Sequence, residues 1–199
     1  MGKIYESIDG KLADWLLAQR LFFVATAPGG SGGHVNCSPK GGIETFRIVG
    51  PREVAYLDFV GSGAETIAHL RDNGRLVVMF CAFDGPPRIV RLHGRGTVSQ
   101  LGDPAFEELY ERLDFSGIEA AEAGARSIVS VAVERIADSC GYGVPLMGYE
   151  GARTQQVAWI QAQLRKNGPG GILDYSREKN AASIDGLPAI ETELLPDRS

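Results

Sequence analysis

Three rows of polar residues hold most of the chemical potential of this 199-residue chain. The first is the turn Gly61-Ser62-Gly63 followed by Glu65 and Thr66. Ser62 and Glu65 stand three apart, the spacing of a capping box, so a helix is expected to open at Ser62. A helix start fed by glycines gathers unpaired backbone N–H groups and the positive end of the dipole, which suits a phosphate. The second row is HVNCSPK, from His34 to Lys40, where Asn36, Ser38 and Lys40 share one face of an extended segment and Val35 and Cys37 take the other. The apolar pair is expected to face the core. That leaves the polar trio either on a solvated edge strand ended by Pro39 or along the rim of a bound heterocycle, and the pattern alone is compatible with both. The third row lies in the strand from Arg88 to Val98, where Ile89, Arg91, His93 and Arg95 share a face opposite Arg88, Val90 and Leu92. Such cations repel one another in a dry core and must meet water, carboxylates or an anionic ligand. Arg91, set between Val90 and Leu92, needs an anionic partner, either a ligand or an internal carboxylate such as Asp58.

Other reactive residues point nowhere so definite. His34, His69 and His93 have no metal-ligand spacing, no paired histidines of the HExxH type occur, and no metal is expected. Cys140 has no base near it in sequence, and no catalytic acid or base can be assigned. The loop it begins, Ser139 to Leu146, is rich in glycine, stiffened by proline and carries Tyr142, a composition suited to a pocket wall. The glycine run from Pro28 to Gly33 lacks the Lys-Ser/Thr of a P-loop and reads as a hairpin turn.

The elements that must position these rows form an alternation of short strands and helices. Asp9 caps a helix over residues 9–20, expected to act as a lid on a sheet, and Leu21 to Ala27 is a strand. Thr45 to Val49 and Val54 to Phe59 form a hairpin about Gly50-Pro51. Asn73-Gly74 ends the helix after Ser62, and Leu76 to Phe83 and Arg88 to Val98 are joined by a tight turn. Asp103-Pro104 opens a helix to Leu113, residues 116–125 form a small-residue connection, and Ser127 to Ile136 is a strand. Arg153 to Lys166, anchored by Trp159, and Gly170 to Asn180 read as two further helices. The last stretch, from Ser183, is too polar to form a core of its own. A domain over residues 1–150 with a helical extension over 151–199 is expected, the extension packing on the barrel or on a partner subunit.

Composition bounds the partners. With 44% hydrophobic residues the chain can bury a core without disulfide or metal. A formal charge of −5 argues against nucleic acid, which asks for a basic footprint. No run of about 18 apolar residues exists, nor does Met1 to Gly10 resemble a signal peptide, so a cytoplasmic protein off the membrane is expected. Cys37, Cys81 and Cys140 are odd in number and far apart, as reduced thiols are.

The order VNCSPKG, then VAYLDFVGSGAETIAHLRDNGRLVVMF, then PPRIVRLHGRG resembles the pyridoxamine 5'-phosphate oxidase-like proteins from about Leu21 to Gln100. The resemblance implies a mainly β fold with flanking helices, a six-stranded split β-barrel that binds FMN, in a homodimer with flavin at the subunit interface. It implies flavin contacts from Asn36, Ser38 and Lys40, from Phe59 and Val60, and from Arg88 and Arg91. It places the phosphate at Ser62, Gly63, Glu65 and Thr66. Arg91 is preferred to Arg88 because it shares its face with Ile89, the position matching the family's cofactor contact. The oxidase proper carries an Arg-Lys pair where this chain has Glu65 and Thr66, and its pyridoxal-phosphate pocket has no match. The function implied is thus an FMN-dependent oxidoreductase moving hydride or electrons for an unknown small molecule, with reduced nicotinamide as a donor. Cys140, Tyr142 and Trp159 are candidates for the substrate pocket. The alternatives are a deazaflavin-dependent reductase, or a non-catalytic protein binding flavin or haem, with His34 or His93 as the axial ligand.

Overall fold

The structure, a computed structural model, describes residues 2–119 and 121–197. Position 120 of the small-residue connection and the last two residues of the tail lie outside the described residues. One antiparallel sheet contains β1 (Ile4–Tyr5), β2 (Leu21–Thr26), β3 (Asn36–Gly41), β4 (Phe46–Gly50), β5 (Glu53–Phe59), β6 (Arg75–Cys81), β7 (Ile89–Gln100) and β8 (Ala125–Ser139). Its order is β3-β2-β6-β7-β8-β5-β4, with β1 added to β8. Among the described residues eight strands thus stand where six were expected. The two-residue β1 has no alternation to read, and β3, despite its proline and polar side chains, pairs with β2 along its whole length.

The sheet is curled. Phe22 of β2 and Phe46 of β4 have four strands between them in the ladder, yet their rings lie 5.2 Å from centroid to centroid. Tyr56 and Phe80 complete the aromatic cluster, and all four side chains are fully buried. Burial of these rings on the concave face, with the aliphatic side chains packed around them, favours closure of the half-barrel. Closure needs sharp bends in long strands, and the register of β7 against β8 shifts between His93 and Gly94. A Cβ at Gly94 would lie 2.1 Å from the carbonyl oxygen of Ala132, so only glycine allows this approach.

Helix α1 (Gly10–Leu17) is capped by the Asp9 carboxylate, which accepts from the Leu12 N–H at 2.9 Å, and its Leu12 and Leu16 enter the barrel core. Helix α2 (Glu65–Asn73) closes the opposite side with Leu70 and ends on Gly74 in the left-handed conformation. Helix α3 (Pro104–Arg112), capped by Asp103, lays Phe106 against Leu57 and Ile128 on the outer face of β5 and β8. The one-turn α4 (Ala121–Gly124) leads into β8. Helix α5 (Gln155–Lys179) is two helices in space. Its continuity breaks at Gly168 (φ 65°, ψ −172°), and Trp159 meets Tyr175 edge-on at 4.9 Å. Sixteen positions along a straight helix would separate them by about 24 Å. The two expected C-terminal helices are therefore present as a hairpin. The tail after it contributes Ala189, Ile190 and Leu195 to a core shared with Ala64 and Ile67, so it covers α2 and needs no core of its own. Among the described residues no helix is long and apolar enough to cross a membrane.

Candidate functional site

A cleft of about 240 Å³ opens at the mouth of the half-barrel, between β3, the end of β5 and the start of α2. Its position follows from the curl: β3 and β5 are not ladder neighbours, and the cleft is the split between them. Strand pairing sets Asn36, Ser38 and Lys40 opposite Thr26, Val24 and Phe22, whose side chains face the concave side. This reverses the expected orientation of β3. Val35 is 76% exposed and Cys37 is exposed, while the polar trio is half-buried and faces inward. The alternation expected of this segment is present but presents its polar side inward, because the inner surface at this end of the barrel is polar.

The electrostatic centre is Asp58, 3% exposed, on the concave face of β5. Lys40 Nζ donates to its Oδ1 at 2.5 Å, and Arg126 Nε and Nη2 both meet its Oδ2 at 2.8 Å. Arg126 Nη1 continues to the carbonyl of Gly63 at 2.8 Å, tying the glycine turn to the head of β8. Burial alone would raise the Asp58 pKa, but the two cations and their hydrogen bonds outweigh it and hold it at about 2. A second chain of polar contacts runs from the cleft inward. Ser38 Oγ donates to Asn36 Oδ1 at 3.0 Å, and Asn36 Nδ2 donates to Thr66 Oγ1 at 3.0 Å. Thr26 Oγ1 lies 2.9 Å from Nδ1 of the buried His69.

Ser38, Lys40, Phe59, Gly63 and Thr66 all line the cleft, so five of the expected contacts come together. Asn36 stands just behind them through its bonds to Ser38 and Thr66. Val60 is buried against Ile160 and Ile172, and its carbonyl accepts from Gln156 Nε2 at 3.3 Å. Ser62 does not cap α2: the N-cap is Ala64, with no side-chain cap bond, and the helix begins at Glu65. The capping-box spacing is present, but the tail occupies that end of the helix, and the Glu65 carboxylate accepts from the Ile184 N–H at 3.3 Å instead.

The two arginines of the third row lie elsewhere. Arg88 stacks over Trp15 and Tyr5 and pairs with Asp138 at 3.4 Å, before β7 begins. Arg91 does share the outer face of β7 with Ile89 and His93, but its partner is the Ser139 hydroxyl at 3.0 Å, neither an anion nor Asp58. Cys140 and Tyr142 are exposed, Tyr142 by 82%, and Trp159 packs between the α5 halves, so none of the three lines the cleft. Nor does either histidine reach it. His34 Nδ1 is bonded to Asp185 at 2.7 Å at the surface, and His93 lies over a shallow outer groove beside Ala25 and Val77. Haem ligation from these positions would not place the haem in the cleft. Among the described residues no cluster of histidine, cysteine or acidic side chains is placed to hold a metal.

Arg126 and Gln156 were missed. The signal for Arg126 was Asp58 itself: a lone carboxylate in the apolar run from Val54 to Phe59 demands a cation, and β8 pairs Asp58 with Ser127, next to Arg126. Gln156 sits in a polar helix start with nothing to distinguish it.

A family model described as pyridoxamine 5'-phosphate oxidase matches residues 8–140. The chain belongs to that family, and its antiparallel half-barrel with flanking helices is the split-barrel fold. A relative in Aspergillus flavus, the pyridoxamine 5'-phosphate oxidase family protein ustO, is 38% identical over 96% of this chain and 78% of its own length. Among solved structures, HupZ of Group A Streptococcus is similar at 19% identity over 71% of this chain and 99% of its own, with a TM-score of 0.48. An FAD-binding protein of Mesorhizobium loti is similar at 14% identity over 69% of this chain and 96% of its own, with a TM-score of 0.41.

Proposed function

We propose that this protein binds a flavin of the FMN class in the cleft beside Lys40 and works as an oxidoreductase on a small molecule, with reduced nicotinamide as its electron donor. The observation that carries this reading is the inward-facing row Asn36-Ser38-Lys40, on the wall where the family resemblance puts the flavin contact. Membership of a family named for an oxidase and the name of the FAD-binding neighbour support it. The residues fit such a ligand. Ser38, Thr66 and the spare N–H groups of Lys40 offer hydrogen bonds along one wall, while Phe59 and Leu57 supply apolar surface.

The flavin, when bound, supplies hydride acceptance and electron transfer. The chain's part is to bind and orient it. Asp58 fixes the Lys40 ammonium, so that its remaining protons point away from the carboxylate, and Arg126 braces the Gly63 turn at the cleft's edge. The Asn36 amide holds the hydroxyls of Ser38 and Thr66 in a set direction. No group within the cleft is assigned as an acid or base.

We place the flavin sites in a homodimer. Among the described residues no helix covers the outer face of β2, β6 and β7, which leaves Phe23, Ala25, Val77 and Met79 half-buried, and a second copy is the occupant that fits it. The free thiols of Cys37, Cys81 and Cys140 suit a reducing compartment such as the cytoplasm. The test is direct. The purified protein should be yellow, release a flavin on denaturation, and bleach anaerobically with reduced nicotinamide. A colourless preparation that does not perturb the spectrum of added flavin refutes the proposal.

A further inference from the structure

We propose, resting on the flavin reading above, that this cleft holds its flavin by the ring and the polyol chain rather than by a phosphate, so that riboflavin binds about as well as FMN. The argument is a charge balance. A split-barrel cleft has two means of attracting a phosphate, its basic side chains and the start of a helix. Both are already matched here by carboxylates of the chain itself.

The basic side chains lining the cleft are Lys40 and Arg126, and both are spent on Asp58. Asp58 is buried and ionised with its two partners in close contact, so an incoming phosphate would have to compete with a carboxylate that cannot leave. The helix start is matched by Glu65, the first residue of α2. Its side chain folds back over the glycine turn, where a Cβ at Gly63 would lie 2.6 Å from Oε2, and its Oε1 is held by the Ile184 N–H of the tail. A carboxylate therefore stands at the end of the helix that attracts anions. The charged residues lining the cleft are two cations and two carboxylates. A dianionic phosphate placed among them gains no net counter-charge and meets Glu65 at short range.

What the cleft does offer suits an uncharged polyol: the Thr66 and Ser38 hydroxyls, the Gln156 amide and the two free protons of Lys40. Arg88 and Arg91, the other basic residues of the expected phosphate region, face elsewhere in the same chain.

The experiment is a parallel titration of the full-length protein, cleared of released chromophore, with riboflavin and with FMN at moderate ionic strength, following quenching of flavin fluorescence. Dissociation constants within about fivefold of each other are expected, since exposed charge pairs contribute only about 1 kcal/mol. Glu65→Gln, a partly exposed position whose change leaves the core intact, should tighten FMN about threefold or more while leaving riboflavin unchanged. FMN binding more than about tenfold tighter than riboflavin in the unaltered protein overturns the inference and leaves the flavin reading standing. An FMN-to-riboflavin ratio that does not move in Glu65→Gln also overturns it. If neither flavin is quenched, the flavin reading itself fails and the inference falls with it.

Discussion

Asp58 shows how a single residue organises the cleft. A carboxylate in a strand whose neighbours are Leu57 and Phe59 is tolerated only because Lys40 and Arg126 reach it from two other strands or strand ends. Removing it by Asp58→Ala would leave two cations without their counter-ion and should cost about 3–5 kcal/mol, read by urea unfolding. The pH dependence has a definite sign. The folded pKa of about 2 lies below the carboxyl's ordinary value, so the contribution is present above that ordinary value and disappears as pH falls through about 2. Unfolding followed from pH 5 to pH 2 should therefore show a loss of about 2 kcal/mol attributable to this group, absent in Asp58→Asn. A parallel decline in both proteins would show that other carboxylates dominate. At this scale the sequence was partly legible. Alternation in β3 identified Asn36, Ser38 and Lys40 as a unit, because a period of two depends on the backbone alone. The face they occupy and the identity of the partner of Asp58 depend on which strands the curl brings together. Local pattern does not encode that.

Elements were legible where their own residues carry the signal. Asp9 and Asp103 cap their helices as read, and Gly74 terminates α2. Ser62 failed as a cap because the tail, more than a hundred residues later, supplies the contacts that fix the start of α2. The α5 hairpin is the clearest case of local control, since Gly168-Pro169 both breaks the helix and sets the return angle. At φ 65° and ψ −172° an alanine is strained by about 1–3 kcal/mol. Gly168→Ala should lower stability by that amount and loosen the Trp159–Tyr175 contact, giving a red-shifted tryptophan emission. Unchanged emission with unchanged stability would mean that the turn is not what holds the two halves together. The hairpin's second half ends at Asn180, fully buried, whose Nδ2 donates to the Gly61 carbonyl at 2.8 Å. Asn180→Ala should therefore free the glycine turn beside the cleft and weaken flavin binding, while lowering stability by about 1–2 kcal/mol. A normal flavin affinity in that variant would separate the tail from the site.

At the scale of the whole molecule, the distribution of covered and uncovered surface is uneven. The outer face of β5 and β8 is packed by α3, and the helix α2 is packed by the tail, so both are satisfied within one chain. Among the described residues nothing packs in the same way on the outer face of β2, β6 and β7. It carries Phe23, Val77 and Met79 beside Arg91 and His93, a mixed apolar and basic surface that is costly to leave in water and suited to an interface. The segment after β8 adds Leu146, 80% exposed, with Met147 and Tyr149, and none of these enters a core of its own chain. The homodimer proposed above would account for both features if β2, β6 and β7 faced their copies and the exposed segment lay across the partner. Light scattering should thus give twice the chain mass of 21.3 kDa. Met79→Glu, placed on that face without touching the concave core, should yield a folded monomer of unchanged circular dichroism. If the flavin sites are completed at the interface, the monomer should also lose most of its yellow colour. A Met79→Glu protein that stays dimeric would move the interface elsewhere, and a monomer that keeps its full flavin would confine the site to a single chain.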